Sequence, residues 1–456
     1  MNLDRSVRPL EQGKIIFRLP EIKKFKLSNG LDIYFVKKSN LPVIQINFLI
    51  ESGSKDDPAG KKGLAHLTAA LVDEGAGEYD SLQLDNEIEM LGTVFGVSAD
   101  QDNTMLSMVC LAEHFTRSLE LLSKVILEPH FSDSEFERER SKIISKLHQL
   151  KDNPGYVASS VFEKLVYRDT AYAYQPFGES NSLKNINNND VKNFYSSAYS
   201  APNSSIIVVG DIEEDELKER LEKYFGVWNN KIMNMDKVET PSLEETAFYF
   251  VHKNDAPQSE IRIGHISTGR NNPEYYAKNL VNTMLGGQFT SRINLNLRED
   301  KGYTYGANSN FNYTKHLGYF KVGTSVESRF TGASVSEIIK ELNLIRETIS
   351  EKELNYVKSY LVKRYPSLFE TNSKIAKNIA NIIIYSLPQN YLDTYIDNIF
   401  TTQLEEVKTA AVNNILPDKL VVLAVGNRDE ILPQLKEISD SEVIELDDEG
   451  RESGNQ

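Results

Sequence analysis

A single histidine, His66, lies in the segment KGLAHLTAALVDEG (62–75), which follows a strand-like run and has the pattern of a helix. A zinc site uses three or four nitrogen, sulfur or oxygen donors, and a helix supplies two of them when they are three or four residues apart on one face. At those two spacings stand Ala69 and Ala70, whose methyl groups cannot bind a metal. The local chemistry therefore predicts that no metal binds here and that His66 is structural.

Other possible donors are also too few. The run Cys110-x-x-Glu113-His114 imitates a metal-binding spacing, but it ends a strand-like segment, where residues three and four apart need not share a face. His148 would add only one imidazole to that of His66, which is insufficient for zinc. Because Cys110 is the only cysteine, an intrachain disulfide and a thiolate zinc site are excluded, and a reducing compartment fits.

The second half of the chain contains a different pair of polar side chains, in TSRINLNLREDKGYTYGANSNF (290–311). A helix is predicted to end near Arg298, a turn to include Gly302, and a strand to begin at Tyr303 to Tyr305. A guanidinium and a phenol are donors that can hold a peptide carbonyl or stabilise an oxyanion. In isolation, the same residues indicate only an exposed arginine at a helix end and a half-buried strand tyrosine.

The elements that position these residues belong to an internal repeat. YFVKKSNLP (34–42) recurs as YFVHKNDAP (249–257), 215 positions later. A helix followed by a strand that stops at glycine, VKNFYSSAYSAPNSSIIVVGD from 191, recurs as VKTAAVNNILPDKLVVLAVGN from 407, 216 positions later. Two pairs of similar segments at nearly one separation predict one folding module present twice.

Within the first repeat, strands and helices occur in blocks. Asn29-Gly30 predicts one hairpin with a two-residue turn, and a second hairpin is predicted to close at Ala99 to Asn103. Helices are predicted at 81–92, 113–127 and 133–151. This succession favours the α+β class, with two homologous repeats of about 215 residues, each a mainly antiparallel sheet with helices packed on one side.

The expected domain organisation follows from this repeat. We expect an N-terminal extension, a first domain, a linker poor in periodicity, a second domain and an acidic, disordered tail. Their ranges are 1–21, 22–228, 229–245, 246–436 and 437–456.

Composition excludes several classes of protein. A net charge of −15 disfavours nucleic acid and anionic membrane surfaces. The longest apolar runs, such as LVVLAVG (420–426), are far short of the roughly 20 residues that span a bilayer. The first residues, MNLDRSVRPLEQGK, lack the apolar stretch of a secretory signal. A cytoplasmic protein is the simplest expectation, unless a leader precedes this sequence.

Several segments together resemble a known family. GLAHLTAALVDEG, preceded by ESGSKDD and followed by SKIISKLHQLKDNPG and AYQPFGES, resembles the pitrilysin/insulinase-type metallopeptidases, whose inverted zinc motif is His-x-x-Glu-His. By this resemblance His66 matches the first histidine, Ala69 the glutamate base and Ala70 the second histidine. The acidic third-ligand region corresponds to Ser145 and Lys146. The resemblance thus implies a degenerate zinc motif.

The phrase LREDKGYTY resembles the C-terminal signature of the same family, in which an arginine and a tyrosine reach into the active chamber. By resemblance, Arg298 and Tyr305 are that pair. The chain looks like the zinc-less subunit of a bacterial two-chain peptidase and is similar to mitochondrial processing peptidase subunits. This implies no metal cofactor in this chain, zinc in a homologous partner subunit, and an extended peptide substrate that adds as a strand to a sheet edge.

Two alternatives remain. The first is a catalytically inactive scaffold or peptide-holding homologue, a role that places no chemical demand on Arg298 or Tyr305. The second is a self-sufficient zinc peptidase, which would need metal ligands that the aligned positions Ala70 and Lys146 do not provide.

Overall fold

The computed structural model describes residues 19–228, 241, 245–254, 256–439 and 441–452. Its first sheet has six strands in the order β1-β2-β6-β3-β5-β4. All neighbours are antiparallel except β2 and β6, which are parallel. The strands are β1 (Lys23–Lys26), β2 (Asp32–Lys37), β3 (Val43–Ile50), β4 (Val94–Ala99), β5 (Thr104–Leu111) and β6 (Ser204–Gly210).

The second sheet repeats this arrangement, in the order β12-β7-β11-β8-β10-β9. Its strands are β7 (Ala247–His252), β8 (Ser259–Thr268), β9 (Thr304–Tyr313), β10 (Leu317–Val326), β11 (Val421–Gly426) and β12 (Val443–Leu446). β11 and β12 run parallel to β7, and the other pairs are antiparallel. The prediction of two mainly antiparallel α+β modules is confirmed.

Helices cover these sheets, and several begin at a side-chain cap, such as Asp80 at α2 and Ser132 at α4. In the first half they are α1 (Leu64–Ala69), α2 (Ser81–Met90), α3 (Phe115–Leu127), α4 (Asp133–Lys151), α5 (Pro154–Tyr167), α6 (Ser180–Lys184), α7 (Asn188–Ala198) and α8 (Glu214–Phe225). In the second half they are α9 (Tyr275–Leu285), α10 (Arg292–Asn294) with its π-helical continuation Leu295–Asp300, α11 (Thr331–Leu344), α12 (Glu351–Arg364), α13 (Asn372–Ile384), α14 (Tyr391–Thr401), α15 (Leu404–Asn414) and α16 (Arg428–Ile438).

The predicted hairpins and helices of the first repeat are present, and α2, α3 and α4 occupy the three predicted helical ranges to within two residues. The first hairpin differs in its turn. Five residues separate β1 from β2, and the Leu27 N–H donates to the Leu31 carbonyl at 3.0 Å. Gly30 supplies a positive φ of 88°, a conformation that glycine adopts without strain, so the glycine marked the turn but not its length.

The two modules exchange one helix each. α5 of the first half packs on β8 and β11, whereas α13 of the second half packs on β3 and β6. The contacts are apolar: Phe162 of α5 lies in one cluster with Leu423, and Ile379 of α13 lies in one cluster with Val209. Each sheet therefore carries helices of its own module on one face, as predicted, and a helix of the other module on the opposite face, which the prediction of one-sided packing did not include.

The prediction of a disordered acidic tail is wrong for most of its length. β12 extends the second sheet, and the following residues contact the first half of the chain. The Lys164 ammonium donates to the Glu449 carbonyl oxygen at 2.8 Å, and Lys151 pairs with the Glu449 carboxylate. Most of the predicted extension (1–21) and linker (229–245) lies outside the described residues.

In the part of the chain that the structure describes, no helix is both long and apolar enough to cross a bilayer.

Candidate functional site

The N-terminus of α1 is fixed by a buried carboxylate. Asp57 accepts hydrogen bonds from the N–H groups of Gly63 and Ala65, both at 2.7 Å. Burial nevertheless raises the pKa of Asp57 to about 7, because the two N–H groups only partly offset the loss of water. Gly63 has a positive φ of 99°, which lets the chain turn sharply into the helix.

A second glycine brings the loop after α5 onto this helix end. Gly178 has a φ of 74°, and a Cβ at this position would collide with the Lys62 carbonyl. This close approach carries the preceding residue, Phe177, to His66, whose ring meets the phenyl edge-on at a centroid distance of 4.5 Å. The Lys146 ammonium lies over the same phenyl ring, 4.5 Å from its centroid.

His66 is therefore held as a neutral side chain. Burial, together with the charge of Lys146, lowers its pKa to about 4, against a backbone hydrogen bond with Ala99 that favours the charged form. Its Nδ1 atom is buried and has no hydrogen-bond partner among the residues that the structure describes. A cation now lies where the resemblance places the third metal ligand, so the electrostatics of this corner repel a metal ion.

The residues present do not fit zinc. Ala69 is buried and offers only a methyl group, and the Ser145 hydroxyl donates back to the Ser141 carbonyl at 2.9 Å. His148 is exposed on α4, and burial raises the pKa of Cys110 to about 11, which keeps it a thiol. Among the described residues, no group of three or more His, Cys, Asp or Glu side chains could hold a metal ion.

Stability should depend on this histidine in acid. The folded pKa of His66 is about 4 and the ordinary value is 6.5, so unfolding takes up a proton between these pH values. Its contribution is complete above pH 6.5 and is lost as pH falls toward 4, by up to about 3 kcal/mol. Other buried groups act over the same range: His265, whose pKa is also lowered to about 4, in the same sense, and Asp57, whose pKa is raised to about 7, in the opposite sense. We therefore expect His66→Asn to remove only the contribution of His66, so that its urea midpoint falls less, or rises more, than that of the wild type between pH 6.5 and pH 4. An unchanged slope would contradict the assignment.

In the second repeat, the segment before β9 is irregular. The helix that starts at α10 continues as a π-helical turn, and the chain reverses at Gly302, which has a φ of 67°. The Tyr303 N–H donates back to the Leu297 carbonyl at 2.9 Å. Arg298 thus lies in the π-helical turn and Tyr305 at the start of β9, close to their predicted places.

Tyr305 is projected outward by a β-bulge. The register between β9 and β10 shifts between Thr324 and Val326, opposite Tyr305. The Thr304 hydroxyl stabilises the bulge, donating to the Ser325 carbonyl at 2.7 Å and accepting the Gly306 N–H at 3.1 Å. The phenol is consequently 92% exposed. Bulges of this kind re-aim side chains beside functional sites.

Arg298 lies over a neighbouring exposed ring. Its guanidinium carbon is 4.5 Å from the centroid of Phe289, a side chain that is 64% exposed, and its Nε is 3.5 Å from the Glu299 carboxylate. Buried Asn294 joins this loop to β9, because it donates to the Phe289 carbonyl at 2.6 Å and accepts the Ala307 N–H at 3.0 Å. Arg298 and Tyr305 therefore lie on adjoining, mutually braced segments.

Sequence reasoning missed three residues of these two sites. Phe177 separates His66 from Lys146, Phe289 supports Arg298, and Asn294 braces β9. The run QPFGES, with an aromatic residue before a glycine, was the available signal for Phe177. Nothing in the local sequence distinguishes Asn294 from the other asparagines near it.

Two family descriptions match the chain. Residues 34–180 match "Insulinase (Peptidase family M16)" and residues 185–361 match "Peptidase M16 inactive domain". Together they span well over half of the chain and include the residues of both candidate sites, among them His66, Lys146, Arg298 and Tyr305.

Several curated relatives match this chain over most of their own length, but their names imply different activities. The chain is 23% identical to the "Uncharacterized zinc protease YmxG" of Bacillus subtilis, over 86% of this chain and 95% of the relative. It is 22% identical to the bovine "Mitochondrial-processing peptidase subunit beta", over 93% and 88%. It is also 22% identical to the "Non-peptidase homolog YmxG" of Helicobacter pylori, over 80% and 85%.

Solved structures show the same fold. The crystal structure of a peptidase M16 inactive domain from Pseudomonas fluorescens superposes with a TM-score of 0.83 at 24% identity, over 89% of this chain and 98% of that one. The resemblance to insulinase-type peptidases and to mitochondrial processing peptidase subunits is confirmed. The chain belongs to the insulinase (M16) peptidase family, as a homologue whose own zinc motif is degenerate.

Proposed function

We propose that this chain is the zinc-less subunit of a two-chain peptidase and supplies Arg298 and Tyr305 opposite the metal site of a homologous partner. The observation that carries the proposal is the 92% exposure of Tyr305 on a braced bulge. An isolated chain gains nothing from holding a tyrosine outward in this way, because the ring buries no apolar area. A bound peptide or a facing subunit would cover it.

The proposal gives each half of the chain one role. The first domain, which we place at 22–228, carries the degenerate motif His66, Ala69, Ala70 and Lys146 and binds no metal. The second domain, which we place at 246–436, carries Arg298 and Tyr305.

The chemistry of the pair suits amide hydrolysis. A guanidinium and a phenol donate hydrogen bonds to a carbonyl oxygen, and these bonds strengthen as negative charge develops on that oxygen in the transition state. Phe289 restricts Arg298 by stacking, so less side-chain entropy is lost when the substrate binds. The metal-bound water and its base are assigned to the partner.

The hydrogen bonds along the edge of β9 indicate where a substrate peptide can add as a strand. The N–H groups of Ala307 and Ser309 are already bound, to Asn294 and to the Gly286 carbonyl at 3.0 Å. This stretch of β9 therefore offers no free donors to an incoming peptide. We infer that an extended substrate pairs with the sheet edge of the partner and meets this chain through side chains.

Co-expression with a zinc-bearing homologue of similar length tests the proposal. Each purified chain and the mixture would be incubated with an unstructured peptide, and zinc would be measured in each sample. We expect hydrolysis by the mixture only, with no stoichiometric zinc in this chain. Hydrolysis by this chain alone, with bound zinc, would contradict the proposal.

A peptide-holding homologue without catalytic function is the second candidate. The name "Non-peptidase homolog" of the Helicobacter pylori relative favours it. The same mixing experiment separates the two, because a scaffold would bind a partner or peptide without any mixture being active. A cytoplasmic location belongs to either proposal and is supported by the one buried, unpaired cysteine, Cys110.

A further inference from the structure

A buried arginine stands apart from the Arg298 site. Arg270 follows β8, is only 8% exposed, and its guanidinium carbon lies 3.1 Å from the ring centroid of Tyr275, 5.0 Å from that of Tyr391 and 5.8 Å from that of Tyr313. Its described hydrogen bond goes to the Tyr391 hydroxyl. A guanidinium has five N–H donors, and a buried one is ordinarily paired with an anion. Here the groups described in contact with the guanidinium, three tyrosine rings and one tyrosine hydroxyl, are neutral.

The first repeat has a carboxylate beside the cation that corresponds to Arg270. Lys55, 215 positions earlier, also follows the corresponding strand and is also buried, with a side chain 5% exposed. Its ammonium lies 2.8 Å from the carboxylate of Asp56. In the second repeat the positions after Arg270 are Asn271 and Asn272, where the first repeat has Asp56 and Asp57. The cation is present in both repeats, but the second lacks the neighbouring carboxylates.

Arg270 lines a cavity of about 280 Å³. The first turns of α9 and α14 border this cavity, and neither helix has a side-chain cap at its N-terminus. Helix N-termini carry partial positive charge, which adds to the charge of the guanidinium. The other walls are aromatic or carry amide groups, including Tyr276, Asn390 and Asn398. The cavity thus combines positive charge, hydrogen-bond donors and room for a small ligand.

Glu274, next to this cavity, does not neutralise Arg270. Its two carboxylate oxygens accept the side-chain amides of Asn413 at 2.9 Å and Asn414 at 2.8 Å. A second buried cation, Lys278, lies nearby and donates to the hydroxyls of Ser267 and Thr268, both at 3.0 Å. The neighbourhood therefore holds two cations and one carboxylate that is already hydrogen-bonded.

We propose that this cavity binds a carboxylate, whose two oxygens pair with the edge of the Arg270 guanidinium while its carbon skeleton lies against the tyrosine rings. A carboxylate matches the planar fork of arginine and the single charge of the site. The net charge of −15 disfavours polyanions. The carboxylate can come from a small organic acid or from a peptide C-terminus. The site is independent of the proposed role of Arg298.

Calorimetric titration of the full chain at constant ionic strength tests this assignment. The probes are benzoate, an acetylated dipeptide with a free C-terminal carboxylate, and the same dipeptide as its amide. We expect saturable binding of a free carboxylate and none of the amide. Benzoate alone would identify small acids as the ligands, and the dipeptide acid alone would identify peptide C-termini. Absence of saturable binding by both acids, or tighter binding of inorganic phosphate, would overturn the proposal.

Variants of the chain test whether the carboxylate binds at Arg270. Arg270→Gln should weaken carboxylate binding at least about 10-fold, whereas Arg262→Gln, which removes a partly buried arginine paired with Glu260 outside the cavity, should leave binding unchanged. Should Arg270→Gln fail to fold, Asn271→Asp decides the question, since it returns the carboxylate of the first repeat at an exposed position. We expect Asn271→Asp to abolish binding by internal competition. Unchanged binding in Asn271→Asp would refute the assignment.

Discussion

Replacing Arg298 with alanine is expected to slow peptide hydrolysis by the two-chain mixture about 10²-fold to 10³-fold, the usual effect of removing one oxyanion donor. The loss should appear in kcat, because the hydrogen bond strengthens only as charge develops on the carbonyl oxygen. Folding should be unaffected, since the interactions that the structure describes for Arg298 are with the exposed Phe289 ring and the neighbouring Glu299. Steady-state kinetics and a denaturation curve of the same sample measure both effects.

The chain offers a matched control. Arg329 also stacks over a phenyl ring, that of half-buried Phe330, at 4.7 Å, and also pairs with a nearby glutamate, Glu327. Arg329 lies outside the π-helical turn Leu295–Asp300 that carries Arg298. Arg329→Ala should therefore leave kcat within about twofold of the wild type. Equal losses in the two alanine variants would show that the mixture responds to surface charge in general, and Arg298 would then have no specific role.

Tyr305→Phe tests the phenol in the same assay. It keeps the ring on its bulge and removes only the hydroxyl, so we expect a loss of kcat with unchanged assembly of the two chains. Tyr356→Phe is the corresponding control, because Tyr356 is 48% exposed and its hydroxyl lies 3.1 Å from that of Thr290. Full activity of Tyr305→Phe would show that the phenol takes no part in catalysis.

The fold was predictable because the repeat is visible in sequence. YFVKKSNLP and YFVHKNDAP mark β2 and β7, which hold the same position in their sheets. What the repeat could not show is the exchange of α5 and α13. Both helices have apolar faces, and local periodicity does not say which sheet such a face will cover. The pairing of β12 was missed for a different reason. This strand is short, and the acidic residues around it made the segment read as a tail.

In the candidate sites, too, features set by local residue types could be predicted, and features that depend on distant residues could not. That His66 lacks metal-binding companions followed from donor atoms alone, because no folding can make a ligand of Ala69 or Ala70. The lowered pKa of His66 could not be predicted, since it depends on Phe177 and Lys146, which lie far from it in sequence. The bulge at Tyr305 likewise depends on the Thr304 hydroxyl, whose acceptor, the Ser325 carbonyl, lies on the neighbouring strand.

Gly178→Ala is expected to destabilise the fold by about 3 kcal/mol or more. A methyl group at this position would meet the Lys62 carbonyl and the Gly63 amide nitrogen, which belong to the backbone and cannot move aside without shifting the start of α1. The positive φ of 74° adds its own cost of roughly 1 kcal/mol. Urea denaturation at neutral pH measures the sum.

Gly30→Ala separates these two costs. Gly30 has a comparable φ of 88°, but a Cβ there would have nothing within 4 Å, so only the conformational cost of about 1 kcal/mol remains. The excess in Gly178→Ala then measures the close approach itself. The same approach holds Phe177 against His66, so the pKa of His66, followed by NMR, should rise from about 4 toward its ordinary 6.5 in folded Gly178→Ala as the ring moves away. If the two glycine variants lose equal stability and His66 keeps its low pKa, the loop does not hold this corner closed, and burial of the histidine must arise from the packing of α1 alone.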